Sequence, residues 1–127
     1  MNARILDLGG VRILELSAEG PPVRDAADLI SQAWEHEATL VAIPAERLGG
    51  TFFKLSTGVA GEIVQKFANY RIGLAILGDI SAHVANSNSL RSFISEAKRS
   101  GHPLFVENRE ALAAHLTPKG PGAPSAS

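Results

Sequence analysis

The chain has 127 residues, 45% of them hydrophobic, with 12 Lys and Arg against 13 Asp and Glu, which suits one domain with an ordinary core. The balanced charge, with no basic run longer than Lys98-Arg99, argues against nucleic acid or an anionic membrane as the main partner, because phosphate binding needs clustered basic side chains. There is no cysteine, which excludes disulfides, thiolate metal sites and a cysteine nucleophile. With neither a signal-peptide pattern nor an apolar run of about 20 residues, a cytoplasmic location is expected.

The first predicted elements are a β-hairpin and a helix. Residues 3–8 and 11–16 are apolar-rich runs separated by Gly9-Gly10, and two glycines accept the positive φ angles of a tight turn. One apolar stripe then predicts a helix that faces the core, with Asp25 placed to cap it. The stripe consists of Ala26, Leu29, Ile30, Ala33 and Trp34. Trp34 is therefore interpreted as a core residue.

Three continuous apolar runs, at 39–43, 72–77 and 104–106, predict parallel strands covered by helices. The intervening helices carry two further apolar stripes: Val59, Ile63, Phe67 and Tyr70, then Leu90, Phe93, Ile94 and Ala97. A short final helix is predicted from Arg109 to Leu116, with Asn108 as its cap. The prediction is an α/β fold in which a hairpin leads into three successive β-α-β units, with a mixed sheet of about five strands.

A single domain is expected over residues 1–116. Residues 117–127 contain three prolines, two glycines and two serines, and no hydrophobic side chain larger than that of alanine. Such a segment cannot bury enough apolar surface to offset the entropy lost on ordering. It is predicted to be a disordered tail.

Candidate functional residues lie mainly in the loops that follow the parallel strands, because ligands of open α/β sheets bind outside the carboxyl ends of the strands. The candidates are Phe53, Ser56, Thr57, Gly58, Asp79, Ser81 and His83, with Arg91 of the next helix placed to supply a countercharge. Each loop also precedes a helix, so a capping role is the competing interpretation of every Ser, Thr and Asp among them. Two adjacent aromatics, Phe52-Phe53, cannot both face the same way in a loop, so one is expected to line a pocket or a subunit interface.

Known catalytic and cofactor patterns do not occur in the sequence. Asp79, Ser81 and His83 suggest a nucleophile with a base, but their spacing matches no triad signature. The stretch 49–56 lacks the Gly-Lys-Ser/Thr ending of a phosphate loop, and there is no dinucleotide motif. The four histidines (36, 83, 102 and 115) show no paired spacing. We therefore expect no metal and no cofactor.

One long segment carries a family resemblance. Residues 52–71, FFKLSTGVAGEIVQKFANYR, are similar to the hallmark of a bacterial family known only as a domain of unknown function, number 4180. The runs 74–81 (LAILGDIS) and 90–94 (LRSFI) are similar to the same family, and the resemblance covers nearly the whole chain apart from the tail. It implies membership of a family that has no established activity.

The predicted order of elements also resembles that of STAS domains, the fold of anti-sigma-factor antagonists and of sulfate-transporter tails. That resemblance implies a phosphorylatable serine or threonine at the start of the helix after the third strand. Here Leu55-Ser56-Thr57-Gly58 stands at that place, and Leu55 replaces the usual aspartate.

Two functional hypotheses follow. The first is a non-catalytic binding or regulatory module whose loops around Thr57 and Asp79 take a protein partner or a small ligand, with a homodimer left open. A phosphate near a helix N-terminus is stabilised by the helix dipole. The second is a small enzyme that uses Asp79 or His83 as acid or base in a pocket near Phe53. The lack of a catalytic signature favours the first; a pocket joining Phe53, Thr57, Asp79 and His83 would favour the second.

Overall fold

Five strands in the order β1-β2-β3-β4-β5 form one mixed sheet in the computed structural model, which describes residues 3–20, 23 and 26–116. The strands are β1 (Ala3–Leu8), β2 (Val11–Leu16), β3 (Leu40–Pro44), β4 (Gly73–Leu77) and β5 (Leu104–Val106). β1 and β2 pair antiparallel, and the other neighbours pair parallel. The predicted hairpin and the three predicted parallel strands are confirmed, and the turn glycines Gly9 and Gly10 have φ angles of 57° and 83°.

In the described part of the chain, six helices connect and follow the strands. They are α1 (Ala26–Glu35), α2 (Gly49–Phe53), α3 (Val59–Asn69), α4 (Ser81–Ala85), α5 (Asn88–Ser100) and α6 (Arg109–Leu116). The three predicted β-α-β units are present, with α1, α3 and α5 as their crossover helices. The predicted cap of α6 is confirmed, because the Ala111 amide donates a hydrogen bond of 2.8 Å to Asn108 Oδ1.

The two faces of the sheet are covered unequally. Each of the three crossovers adds its strand on the same side of the preceding strand. Crossovers of the same handedness then place all their helices on one face of the sheet, and the larger core lies on that face. That core joins α1 to α5 with the inward residues of the strands: Leu14, Leu16, Val41, Ile43, Leu74 and Ile76. On the other face, α6 is the only described helix whose side chains join the core. Its Leu112 packs with Ile13, Leu40, Ala42, Ala75 and Leu77.

The interpretation of Trp34 as a core residue is wrong. Trp34 is 56% exposed and makes an edge-to-face contact with Tyr70, which is 48% exposed, at 5.2 Å between ring centroids. At about 100° per residue, Trp34 is rotated about 80° from Ala26, which puts it at the margin of the stripe. Tyr70 lies one residue beyond the end of α3, so the helical period no longer applies to it.

The segments expected to be long loops contain short helices. α2 occupies the middle of the connection after β3, and α4 lies between β4 and α5. Phe52 and Phe53 are both buried in α2, 0% and 3% exposed, with 78° between their ring planes, and of the two it is Phe53 that lines a surface depression. Five residues are too few to show an apolar repeat in the sequence, and adjacent residues of an embedded helix can both reach the core.

Two predictions lie outside the described residues: the capping role of Asp25 and the disorder of residues 117–127. Within the described part of the chain, no helix combines the length and apolar character needed to cross a bilayer.

Candidate functional site

Two depressions at the carboxyl edge of the parallel strands divide most of the predicted site residues between them. The first, called the Phe53 depression, has a volume of about 540 Å³ and includes Phe53, Lys54, Ser56 and His83 in its lining. The second, called the Arg91 depression, has a volume of about 380 Å³ and includes Asp79, Ser81, Arg91 and Lys98. α4 borders both, since Ala82 and His83 line the first while Ser81 and Val84 line the second.

A stacked pair of rings forms part of the Phe53 depression. The exposed imidazole of His83 lies over the phenyl ring of Phe53, with 4.3 Å between centroids and 15° between planes. Phe53 is itself fixed by an edge-to-face contact with Phe52 at 5.1 Å. α2 anchors the phenyl ring in the core and α4 brings the imidazole onto it, so the wall of the depression is a preorganised aromatic surface.

Polar groups surround this surface, and several already have structural roles. The Ser87 hydroxyl accepts a hydrogen bond of 3.0 Å from the Leu90 amide and caps α5. The Asn86 side chain donates to the Ala82 carbonyl at 3.0 Å. Ser56 differs, because its exposed hydroxyl has no hydrogen-bond partner among the described residues. Ser56 therefore offers a free hydroxyl in the Phe53 depression, which Lys54 also lines.

Thr57 and Gly58 line neither depression. Thr57 is the last residue of a 3₁₀ turn that starts at Leu55, two residues before α3 begins. Its hydroxyl has the carbonyl oxygens of Thr51 at 2.8 Å and Lys54 at 2.9 Å as acceptors, and accepts a 3.3 Å hydrogen bond from the Val59 amide. The Thr57 hydroxyl thus ties the end of α2 to the start of α3.

Gly58 is the N-cap of α3 and has a φ angle of 80°. A Cβ atom there would meet nothing within 4 Å, so backbone conformation, not close approach of a neighbour, explains the glycine.

In the Arg91 depression, the predicted residues Asp79 and Arg91 already have hydrogen-bond partners within the chain. Asp79 Oδ1 accepts a hydrogen bond of 2.9 Å from the Ser81 amide at the start of α4. This bond, with one from the Ser81 side chain, lowers the pKa of Asp79 below its usual value. Arg91 donates to Asn88 Oδ1 at 2.9 Å and to the Val84 carbonyl at 3.4 Å. The Asp79 carboxylate therefore stabilises the turn before α4, but it does not cap that helix, whose N-cap residue is Ile80.

The sequence did not indicate a third feature, a buried carboxylate on the second face of the sheet. Glu15 is 7% exposed and accepts hydrogen bonds from Arg4 on β1 and from Arg109 at the start of α6. These three side chains line a cavity of about 560 Å³ that also touches Ser17 and Pro44, called here the Glu15 cavity. One signal was available in the sequence: with a period of two, Glu15 shares its strand face with Val11 and Ile13, where a charge is unusual.

No group of three or more His, Asp or Glu side chains in the described residues could hold a metal ion.

Comparison with known proteins gives a family without a described activity. A family model for a domain of unknown function (DUF4180) matches residues 8–116 of the chain. No curated protein and no solved structure matches it.

Proposed function

The chain belongs to the DUF4180 family of domains of unknown function, and from that premise we propose that it is a binding or regulatory module acting through the Phe53 depression. The observation that carries the proposal is the stacked pair Phe53–His83 beside the free Ser56 hydroxyl. An apolar ring surface with a few convergent polar groups is the usual composition of a binding site. The ligand is a protein segment or a small molecule, and the location is cytoplasmic.

The separation of Asp79 from His83 supports binding over catalysis. A general acid and base that work on one substrate must reach the same atoms. Here His83 lines the Phe53 depression and Asp79 lines the Arg91 depression. The Asp79 carboxylate also accepts a hydrogen bond from the Ser81 amide. The enzyme hypothesis requires these two groups to cooperate in one pocket near Phe53, and this arrangement does not favour it.

Ser56, and not Thr57, is the better candidate for a regulatory hydroxyl. Thr57 Oγ1 is engaged with two carbonyl oxygens, whereas Ser56 is exposed with no partner among the described residues. A phosphate on Ser56 would stand in the Phe53 depression next to the exposed ammonium group of Lys54. An added charge at that place would change what the depression can bind.

The order of elements that resembles STAS domains is weaker support, because one fold serves many functions. It agrees with a regulatory role and with a serine or threonine between β3 and α3 as the modified residue. The proposal rests on the geometry of the Phe53 depression and does not depend on that likeness.

Affinity capture from the native host tests the proposal. Wild-type protein, His83→Ala and His36→Ala are compared, with captured proteins and small molecules identified by mass spectrometry. His36 is exposed, like His83, but follows α1 at the opposite edge of the sheet, so its replacement is a matched control. We expect a partner or metabolite that wild type and His36→Ala retain and His83→Ala loses. Equal capture by all three proteins would show that the Phe53 depression is not the binding site.

A further inference from the structure

The Glu15 cavity contains two arginines that share one carboxylate. Arg109 makes a two-point contact, with Nε 3.1 Å from Glu15 Oε2 and Nη2 2.8 Å from Oε1. Arg4 makes a single contact, with Nε 3.2 Å from Oε1. The two charge-assisted contacts from Arg109 are the geometry that planar guanidinium and carboxylate groups prefer. The ion pair of Glu15 is thus complete without Arg4.

The cavity has an unbalanced charge. Among the described residues, two guanidinium groups and one carboxylate are the charged groups that line it, so two positive charges and one negative charge leave a net charge of +1. The Arg4 side chain is 58% exposed and that of Arg109 is 46% exposed. Neither Nη atom of Arg4, nor Nη1 of Arg109, donates to any acceptor in the described part of the chain. Several donors are therefore available to a ligand.

The position and walls of the cavity also suit a ligand. It opens where β2 and β3 end, beside Ser17 and Pro44, and carboxyl ends of parallel strands are where α/β sheets bind ligands. Its volume of about 560 Å³ falls in the range of about 300–1,000 Å³ found for small-molecule sites. Half of the lining residues are apolar: Ala3, Leu16, Ala18 and Pro44.

We propose that the Glu15 cavity binds a small organic carboxylate, whose charge is held by Arg4 and Arg109 and whose apolar part lies against Pro44 and its apolar neighbours. A single negative charge on the ligand balances the net charge of +1. A guanidinium presents paired N–H donors in one plane, and a carboxylate accepts two of them at once. Glu15 does not contact the ligand, and its carboxylate neutralises one of the two positive charges of the cavity.

A purely structural network is the alternative. In that case the three side chains only connect β1, β2 and α6, and the donors of Arg4 are solvated like those of any surface arginine. The two accounts differ in their prediction for Glu15→Gln. Removal of the carboxylate raises the charge of the cavity from +1 to +2, so a carboxylate ligand should bind more tightly.

The test is an NMR titration of the full chain with butyrate and, separately, with inorganic phosphate, at constant ionic strength. The arginine Nε–Hε signals report directly on the guanidinium groups. Wild type is compared with Arg4→Gln and Arg12→Gln, and with His83→Ala. Arg12 is a matched control, because it lies on the same hairpin, is also about half exposed at 45% and also contacts carboxylates, those of Asp7 and Glu37.

We expect butyrate to shift the Arg4 and Arg109 signals in a saturable manner. Arg4→Gln should weaken binding roughly tenfold, as expected for loss of a charged hydrogen-bond donor, while Arg12→Gln and His83→Ala should leave it unchanged. Where Glu15→Gln folds, it should bind more tightly. Equal weakening by Arg12→Gln and Arg4→Gln, or no saturable shift, would overturn the proposal; tighter binding of phosphate than butyrate would overturn the carboxylate assignment. The His83→Ala result separates this site from the Phe53 depression.

Discussion

The imidazole of His83 lies nearly parallel to the phenyl ring of Phe53, 4.3 Å away between centroids. One partner is buried in α2 and the other is exposed on α4, two helices that flank different strands. The contact therefore links the connection after β3 to the connection after β4. Without this contact, the two connections could move independently. The contact therefore gives this end of the sheet a defined surface.

Replacing His83 by Ala should destabilise the fold by about 0.5–1.5 kcal/mol, the value of an aromatic contact beyond simple burial. His83→Phe keeps a stacking ring and should restore most of this stability. Urea denaturation of the two variants and of His36→Ala measures the differences. A His83→Ala variant as stable as His36→Ala would show that the stack contributes nothing.

Thr57→Asp should destabilise the protein by about 1–3 kcal/mol, because a hydroxyl donor is replaced by a carboxylate facing carbonyl oxygens. Those acceptors, on Thr51 and Lys54, lie 2.8 and 2.9 Å from Thr57 Oγ1. Thr57→Ser keeps the donor and should remain within about 0.5 kcal/mol of wild type. Thermal and urea unfolding compare the two, and equal stability of both variants would contradict the tie between α2 and α3.

Trp34 is the single tryptophan, and its exposure gives a direct optical test. Iodide should quench its fluorescence in the folded protein nearly as well as in the unfolded protein, because more than half of the side chain is accessible. Trp34→Ala should cost about 0.5–1.5 kcal/mol, the value of its contact with Tyr70. The buried Phe67 serves as the contrast, with about 3–5 kcal/mol expected for Phe67→Ala. Strong protection from iodide would mean that Trp34 is covered in solution.

Stability should decrease below about pH 6.5 in a way that depends on His102. Burial lowers the pKa of His102 below its usual value of 6.5, and a hydrogen bond with the Ile72 backbone opposes this shift. As the pH falls, His102 is protonated at a higher pH in the unfolded chain than in the folded chain. Stability therefore rises with pH between the folded and unfolded pKa values. The contribution of neutral His102 to the free energy of unfolding is complete above about pH 6.5 and is lost as the pH falls towards the pKa of His102 in the folded protein.

Urea denaturation at pH 7.5 and pH 5.5 measures this effect. Wild type should lose more stability between the two values than His102→Gln, which cannot titrate at that position. His36→Gln, with an exposed histidine replaced, should show the same loss as wild type. An identical pH dependence of wild type and His102→Gln would remove His102 as the cause.

Local signals in the sequence were sufficient for the strands and crossover helices. Gly9-Gly10 predicted the hairpin, and the continuous apolar runs predicted β3, β4 and β5 because helices cover the faces of parallel strands. Trp34 was misplaced because the margin of an apolar stripe is buried or exposed according to its neighbours. Those neighbours come from other parts of the chain.

The site was predicted only in outline. The sequence placed the candidates at the correct edge of the sheet, but it did not show that α4 assigns His83 and Asp79 to different depressions. The contact between Glu15 and Arg109 joins residues 94 positions apart, and no local sequence pattern predicts a pairing over that distance. Only the unusual charge at Glu15, on a strand face with Ile13, pointed towards it.

Among the described helices, α6 alone covers the second face of the sheet, and this has a consequence for protein synthesis. α6 follows every strand of the sheet, so the strands can leave the ribosome before Leu112 and Leu116 are available to pack on them. At about 5–20 residues per second, translation leaves this interval open for a second or so. During it, the apolar surface around Ile13, Ala42 and Ala75 is exposed on the nascent chain.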